Sequence, residues 1–135
     1  MIYHQIRISM KPDAPKDQVE YALELLRRLG RELDVVEQWA VGRDFGGEFE
    51  YGAMYALKDT KAYATYMHAP LHRKIDEIGL PLVQNMISQD LSDSMDPAVG
   101  ERIAEIHANR FANDAELRDL VEGLGSYEGS GTTPA

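Results

Sequence analysis

Hydrophobic positions along the chain switch between a period of two residues and a period of 3.6 residues, which predicts strands alternating with helices. The first strand has one apolar row, which also contains a histidine: Ile2, His4, Ile6, Ile8 and Met10. A break at residues 11–15 precedes a helical pattern that is expected to end at Gly30. That helix carries Val19, Ala22, Leu23, Leu26 and Leu29 on one face.

The pattern then continues with two strands, a helix and a last strand. The two strands fall at about residues 33–43 and 49–57, and glycines mark the turn between them. Asp59 or Thr60 can cap the next helix, Ala69-Pro70 interrupts it, and a further helical turn leads into a strand at 82–91. This order predicts an α+β fold of the ferredoxin-like βαββαβ type, with a four-stranded antiparallel sheet and both helices on one face. An uncovered, half-apolar sheet face would associate, so we expect a homodimer.

The pattern changes after residue 92. A helix can begin at Asp96-Pro97 and bears Val99, Ile103 and Ile106, and a second helix follows a cap at 113–116. We therefore expect a domain at 1–92, a C-terminal helical extension at 93–125 and a disordered tail at 126–135.

Composition excludes several kinds of partner. The chain has 135 residues, enough for one compact domain with a sizeable core, and its formal net charge of -9 disfavours nucleic acid and anionic membrane surfaces. It contains no cysteine, which excludes disulfides and thiolate metal sites. No segment has the pattern of a signal peptide or membrane span, so the cytoplasm is the expected compartment.

Short segments resemble the stress-responsive dimeric α/β-barrel (Dabb) family, which includes polyketide cyclases of the olivetolic acid cyclase type. The resemblance covers about residues 1–92 and is carried by MIYHQIRISM, VGRD, ALKD, AYATYMHAPLH and QDL. It implies a dimeric α/β barrel in which His4, Tyr66 and His72 line a pocket, with Asp90 at the position of an acidic residue. The family often has histidine directly before the proline, whereas this chain has Ala69 there.

The residues themselves support the same grouping. The last strand of a split βαβ sheet commonly lies antiparallel beside the first, which would bring Asp90 near His4 to hold a histidine tautomer, although the sequence does not decide which histidine it reaches. Tyr66 shares a helix face with Tyr63, and a bend at the proline could turn His72 towards Tyr66. Histidine suits general-base catalysis, and neutral tyrosine can donate to an oxyanion. Taken alone, His4, Tyr63 and Tyr66 are more often satisfied core residues, His72 could cap a helix end, and Asp90 could simply end a strand.

Other candidates have simpler interpretations. Trp39 could line a ligand pocket as a substrate-binding residue or fill the dimer core, and the sequence does not choose. His68 and His107 are expected at the surface. The spacing of His68 and His72 could suit a metal, but Pro70 lies between them and no third ligand is evident, so no metal and no organic cofactor are expected.

Three functional hypotheses follow. The first is a cofactor-independent acid/base enzyme acting on a small apolar carbonyl or polyketide-like compound, with His72 as base and Tyr66 and His4 stabilising an enolate before ring closure or a related lyase step. The second is a non-catalytic, stress-linked dimer that binds a small ligand or a protein. The third is a cofactor-free monooxygenase, since similar barrels host that chemistry.

Overall fold

The structure, a computed structural model, describes residues 1–130. Its elements are β1 (Ile2–Met10), α1 (Lys16–Glu32), β2 (Val36–Arg43), β3 (Tyr51–Leu57), α2 (Thr60–Met67), α3 (Pro70–Gly79), β4 (Val83–Ser92), α4 (Pro97–Asn113), α5 (Ala115–Glu122) and β5 (Ser126–Gly129). A single 3₁₀ turn at Leu80–Leu82 joins α3 to β4. The predicted ferredoxin-like α+β fold is confirmed.

The sheet has five strands in the order β2-β3-β1-β4-β5, one more than expected. The pairs among the first four strands are antiparallel, and β5 pairs with β4 in parallel. The prediction of disorder from residue 126 onward is therefore corrected for β5, while residues 131–135 lie outside the described residues. At Gly129, φ is +134° and an added Cβ would collide with the Ser88 carbonyl oxygen, so the close pairing of β5 needs glycine.

Aspartates begin three of the helices. The side chain of Asp59 accepts a hydrogen bond from the Ala62 N–H, as the sequence predicts, and Asp96 and Asp114 cap α4 and α5 in the same way. At Gly30 the prediction of a helix end was wrong, because α1 continues to Glu32. An added Cβ on this glycine would collide with the ring of Trp39, so it serves close packing inside the helix.

Residues 97–129, which comprise α4, α5 and β5, form a C-terminal cap that packs on the first domain. Ile103 and Ile106 of α4 belong to the main hydrophobic core, which includes Leu25, Leu29 and Leu57. A second cluster joins Phe111 and Leu117 of the cap to Leu80. Apolar burial thus holds the cap against the helical side of the domain.

The opposite face of the sheet carries the alternate residues of each strand. Arg7 lies there and forms two hydrogen bonds with Asp44, at 2.8 and 2.9 Å. Tyr3 and Ile87 are half-buried, and Leu91 is 63% exposed. Apolar groups on this face are the kind of surface that associates. No helix in residues 1–130 has the length and apolar character needed to cross a bilayer.

Candidate active site

The sheet register brings the first predicted pair together. His4 on β1 lies directly opposite Asp90 on β4, and the two atoms His4 Nδ1 and Asp90 Oδ1 are 2.8 Å apart. Both side chains are almost fully buried. The structure therefore answers which histidine Asp90 contacts, because the Nδ1–H of His4 donates to this carboxylate.

Tyr63 and His107 extend this pair into a network. The Tyr63 hydroxyl donates to Asp90 Oδ2 at 3.0 Å and lies 2.7 Å from His107 Nε2. Since an ionised carboxylate only accepts, the Tyr63 proton goes to Asp90 and the Nε2–H of His107 donates to Tyr63. Burial raises the pKa of Asp90, but hydrogen bonds from His4 and Tyr63 outweigh it, and the net pKa is lowered.

The expectation that His107 lies at the surface was wrong, since the residue is only 3% exposed. It follows Ile103 and Ile106 on the face of α4 that packs inward. Burial lowers the pKa of His107 to about 3, so the imidazole is neutral at physiological pH.

His72 forms a second histidine–aspartate pair within α3. His72 Nδ1 is 3.2 Å from Asp76 Oδ2, and Arg110 of α4 donates to that same oxygen from Nη2 at 2.7 Å. Burial raises the pKa of Asp76, but His72 and Arg110 together hold it below its usual value. Asp76 is thus a carboxylate. Arg110 Nη2 also lies 3.3 Å from His72 Nδ1, and a guanidinium only donates, so Nδ1 accepts from Arg110 in one tautomer of His72 and donates to Asp76 in the other.

Burial also lowers the pKa of His72, and the attraction of Asp76 opposes this only in part. The repulsive charge of Arg110 acts in the same direction as burial. A neutral imidazole beside a buried carboxylate is equipped to accept a proton.

Tyr66 lies between the two histidine–aspartate pairs. Its ring centroid is 5.0 Å from that of His72 and 5.4 Å from that of His4, both in edge-to-face arrangements. Among the described residues its buried hydroxyl has no hydrogen-bond partner. Burial raises the pKa of Tyr66 well above its ordinary value, so the phenol stays protonated and keeps a donor to offer.

These groups meet at a cavity of about 50 Å³ between the sheet, the helices and the C-terminal cap. Its polar lining includes His4, Tyr66, His72, Ser88 and Arg110. Its apolar walls include Leu26, Leu29, Met86, Phe111 and Leu117. The arrangement therefore presents the imidazoles of His4, His72 and His107 and the phenol of Tyr66 to one small space.

Other predicted residues take different positions. Tyr63 and Asp90 stand behind His4 as hydrogen-bonding partners, whereas Trp39 packs on Gly30 of α1 and is not among the residues that line the cavity. His68 is exposed, as expected. Within residues 1–130, no group of three potential His, Asp or Glu ligands is placed to hold a metal.

Sequence reasoning missed the roles of Arg110 and His107. Both lie on one face of α4, at i+7 and i+4 from Ile103, a residue already predicted to be apolar and inward-facing. That spacing was the available signal. It indicates that the two residues share a face with the core but does not show which surface that face contacts.

The protein is thus a ferredoxin-like α+β domain that has two buried histidine–aspartate pairs beside one cavity. The family model described as Stress responsive A/B Barrel Domain (Dabb) matches residues 2–93, and the chain belongs to this family. No curated protein matched the chain.

Several solved structures share the fold. A dimeric ferredoxin-like protein of unknown function from Thermobifida fusca YX is 21% identical, with a TM-score of 0.61, and the match covers 67% of this chain and 89% of that one. A Dabb family protein from Mesorhizobium loti is 17% identical, with a TM-score of 0.61 and coverage of 69% and 96%. Hydroxynitrile lyase from Passiflora edulis is 10% identical, with a TM-score of 0.61 and coverage of 70% and 96%.

Proposed function

We propose that this protein is a cofactor-independent acid/base enzyme that removes a carbon-bound proton next to a carbonyl group. The observation that carries the proposal is the unpartnered, buried hydroxyl of Tyr66 beside the imidazole of His72 at one cavity. A buried donor without a partner costs free energy, and a bound carbonyl oxygen would supply the partner. A site with this cost is typical of function.

His72 is the proposed general base. In the reacting tautomer its Nδ1–H donates to the ionised Asp76, 3.2 Å away, so Nε2 carries the lone pair that takes the proton. As Nε2 accepts the proton, the imidazole becomes a cation, and the adjacent carboxylate stabilises that cation. Asp76 is thus a positioning residue that acts through His72, in the way that a buried aspartate orients a catalytic histidine in other enzymes.

Tyr66 is the proposed donor to the oxygen. Negative charge moves onto the carbonyl oxygen as the carbon–hydrogen bond breaks, and a preorganised donor stabilises the enolate more than it stabilises the ketone. His4, across the Tyr66 ring from His72, is the second candidate for stabilising the enolate. Its Nδ1–H is held by Asp90, so this role requires a second N–H at Nε2, which is present in the imidazolium form.

The type of reaction that follows proton removal is proposed from the family resemblance. That resemblance implies ring closure of the polyketide cyclase kind or a related lyase step. The cavity of about 50 Å³ favours the lyase step, because a dicarbonyl that closes into a ring needs more room. A lyase on this fold has a parallel in the Passiflora edulis structure, which is a hydroxynitrile lyase. Asp90 and Tyr63 are proposed as supporting residues, whereas Trp39, which does not line the cavity, is proposed to act only through its packing on Gly30 of α1.

We further propose that the protein is a homodimer formed through the outer sheet face. The half-buried Tyr3 and Ile87 and the exposed Leu91 on that face support it, as do the solved structures described as dimeric. The cytoplasm remains the expected compartment. Size-exclusion chromatography with light scattering tests the dimer, and a monomeric Leu91→Asp variant would assign the interface.

Exchange of carbon-bound hydrogen with solvent deuterium tests the chemistry without knowledge of the natural substrate. Acetone in D₂O, followed by proton NMR, should lose its methyl signal faster in the presence of the protein. The variant His72→Ala should lose this acceleration, whereas His68→Ala, the same substitution at an exposed neighbour, should keep it. Equal rates for wild type and His72→Ala would remove His72 from the mechanism.

Oxygen consumption with an electron-rich phenol distinguishes the monooxygenase alternative. Ligand binding at Tyr66 without any exchange would instead favour the non-catalytic binding dimer. These two readouts separate the three hypotheses in one set of variants.

A further inference from the structure

The C-terminal cap, residues 97–129, lies outside the matched family domain and yet forms part of the candidate site. Its contribution to the lining of the cavity comes from all three of its elements: His107, Arg110 and Phe111 of α4, Leu117 and Val121 of α5, and Tyr127 of β5. The family domain supplies His4, His72 and Tyr66, and the cap supplies much of the opposite wall.

Hydrogen bonds and an ion pair join the C-terminal cap to the candidate functional residues of the family domain. Arg110 donates to Asp76 at 2.7 Å, and His107 bonds to Tyr63 at 2.7 Å. The Arg110 side chain is only 9% exposed, and a guanidinium buried this deeply needs its carboxylate partner. The cap is therefore tied to both histidine–aspartate pairs and holds one defined position over them.

The size of the cavity sets an upper limit on what it can hold. One water needs roughly 10–15 Å³ of such volume, so a cavity of about 50 Å³ accommodates about three to five non-hydrogen atoms. Phe111 and Leu117, which are 8% and 2% exposed, form the cap side of this boundary. Close-packed walls of this kind do not yield to a larger ligand without rearrangement.

The charge of the lining restricts the ligand further. Among the described residues that line the cavity, the formally charged side chains are Asp76 and Arg110, and these neutralise each other. A charged ligand would lose its hydration without gaining an opposite charge. An uncharged ligand with an acceptor oxygen fits, because Tyr66 offers a donor that lacks a partner.

We propose that the C-terminal cap determines substrate specificity by restricting the site to small, uncharged carbonyl compounds of about three to five non-hydrogen atoms. The choice of a carbonyl rests on the proposed function, whereas the size limit is a statement about binding alone. Phe111 is the principal specificity-determining residue, because its ring forms a cavity wall and belongs to the cap.

NMR of the full chain with labelled tyrosine tests the size limit. Acetone should shift the Tyr66 ring signal saturably, and the signal is assigned by its loss in Tyr66→Phe. Acetophenone, which adds a phenyl ring to the same carbonyl, should leave the signal unshifted in the wild type. Phe111→Ala should strengthen acetophenone binding by roughly tenfold or more, because removing the ring opens the wall.

Phe45→Ala is the matched control, since it makes the same substitution at a ring that is 83% exposed and outside the cavity. It should leave both ligands unchanged. If Phe111→Ala does not fold, Val121→Ala removes a smaller part of the same wall and should admit acetophenone more weakly.

The outcomes separate the size limit from the chemistry. The size limit is overturned if the wild type binds acetophenone at Tyr66 as tightly as acetone, if acetone does not bind, or if folded wall variants still exclude acetophenone. If acetone binds and acetophenone is excluded, but no deuterium exchange is catalysed, the proposed function fails while the size limit stands.

Discussion

The two histidine–aspartate pairs differ in how the chain builds them. His4 and Asp90 come from neighbouring strands, and the sheet register alone places them opposite each other. His72 and Asp76 are one helical turn apart on α3, and their partner Arg110 comes from the cap. The His4–Asp90 pair depends on strand pairing. The His72–Asp76 pair is local to one helix and also depends on a contact from outside the family domain.

This difference indicates a division of tasks. Asp90 already accepts from His4 and Tyr63, so that pair is part of a satisfied hydrogen-bond network that includes His107. Around His72, a carboxylate and a guanidinium hold a neutral base beside an unpartnered phenol. The strand pair is suited to positioning, and the helix pair is suited to proton transfer.

The largest expected effect is on catalysis. Replacing His72 with alanine should lower the deuterium-exchange rate by about 10²–10⁴-fold, the usual contribution of a general base. His4→Ala should cause a smaller loss, because His4 only helps to stabilise the enolate. Measured exchange rates for the two folded variants check this order, and a greater loss at His4 would reverse the assigned roles.

The second largest expected effect is on stability, which should differ between the two histidine–aspartate pairs. Asp76→Ala leaves the buried Arg110 without its carboxylate and should cost about 3–5 kcal/mol of unfolding free energy. Asp90→Ala leaves the Nδ1 donor of His4 unpaired, while Tyr63 keeps His107, and should cost about 1–3 kcal/mol. Urea denaturation measures both values. The double variant Asp76→Ala/Arg110→Met should recover part of the first loss, and no recovery would mean that the buried charge is not its cause.

The pH dependence of stability tests whether His107 is uncharged in the folded protein. The pKa of His107 is lowered from 6.5 to about 3 by burial, so between these pH values the unfolded chain binds more protons than the folded chain. The unfolding free energy should therefore fall as pH is lowered from about 6.5 towards 3. His72, whose pKa is also lowered by burial, acts in the same direction.

His107→Gln isolates the contribution of His107, because it keeps a hydrogen-bond donor and removes the titration. The slope of unfolding free energy against pH should become shallower in this variant. His68→Gln at an exposed position is the matched control. An unchanged slope in His107→Gln would show that the buried imidazole is not held neutral.

The smallest expected effect compares the two neighbouring tyrosines. Tyr63→Phe removes hydrogen bonds to Asp90 and His107 and should destabilise the fold by about 1 kcal/mol. Tyr66→Phe removes a buried hydroxyl that has no partner and should leave stability equal or slightly higher. Exchange activity should nevertheless drop in Tyr66→Phe. Thermal unfolding of the two variants gives the sign of each stability change. Destabilisation by Tyr66→Phe would reveal a structural role for the Tyr66 hydroxyl.

The sequence was most informative where structure depends on neighbouring residues. The alternation in β1 placed His4 inward, and antiparallel pairing of first and last strands placed Asp90 beside it. The proline after α2 turned His72 towards Tyr66, as expected. The directions of His4 and His72 follow from periods and chain breaks within a few residues, whereas the pairing of His4 with Asp90 follows from the usual strand order of this fold.

The remainder depends on contacts between distant segments. The α4 helix was predicted, but its local pattern does not state which surface receives it, and so Arg110 was not assigned to Asp76. The strand β5 has four residues without a sustained alternation, and its place depends on how closely Gly129 approaches Ser88. Such close contacts depend on packing between distant segments, which the hydrophobic periodicity of the sequence does not predict.

The strand β5 also changes how copies of this chain can meet. By pairing with β4, it blocks hydrogen-bonding groups that would otherwise invite another chain to add a strand and start aggregation. Within residues 1–130 the other margin of the sheet is β2, which carries the exposed Glu37. A truncated chain that ends at residue 93 should therefore precipitate more readily than the intact protein.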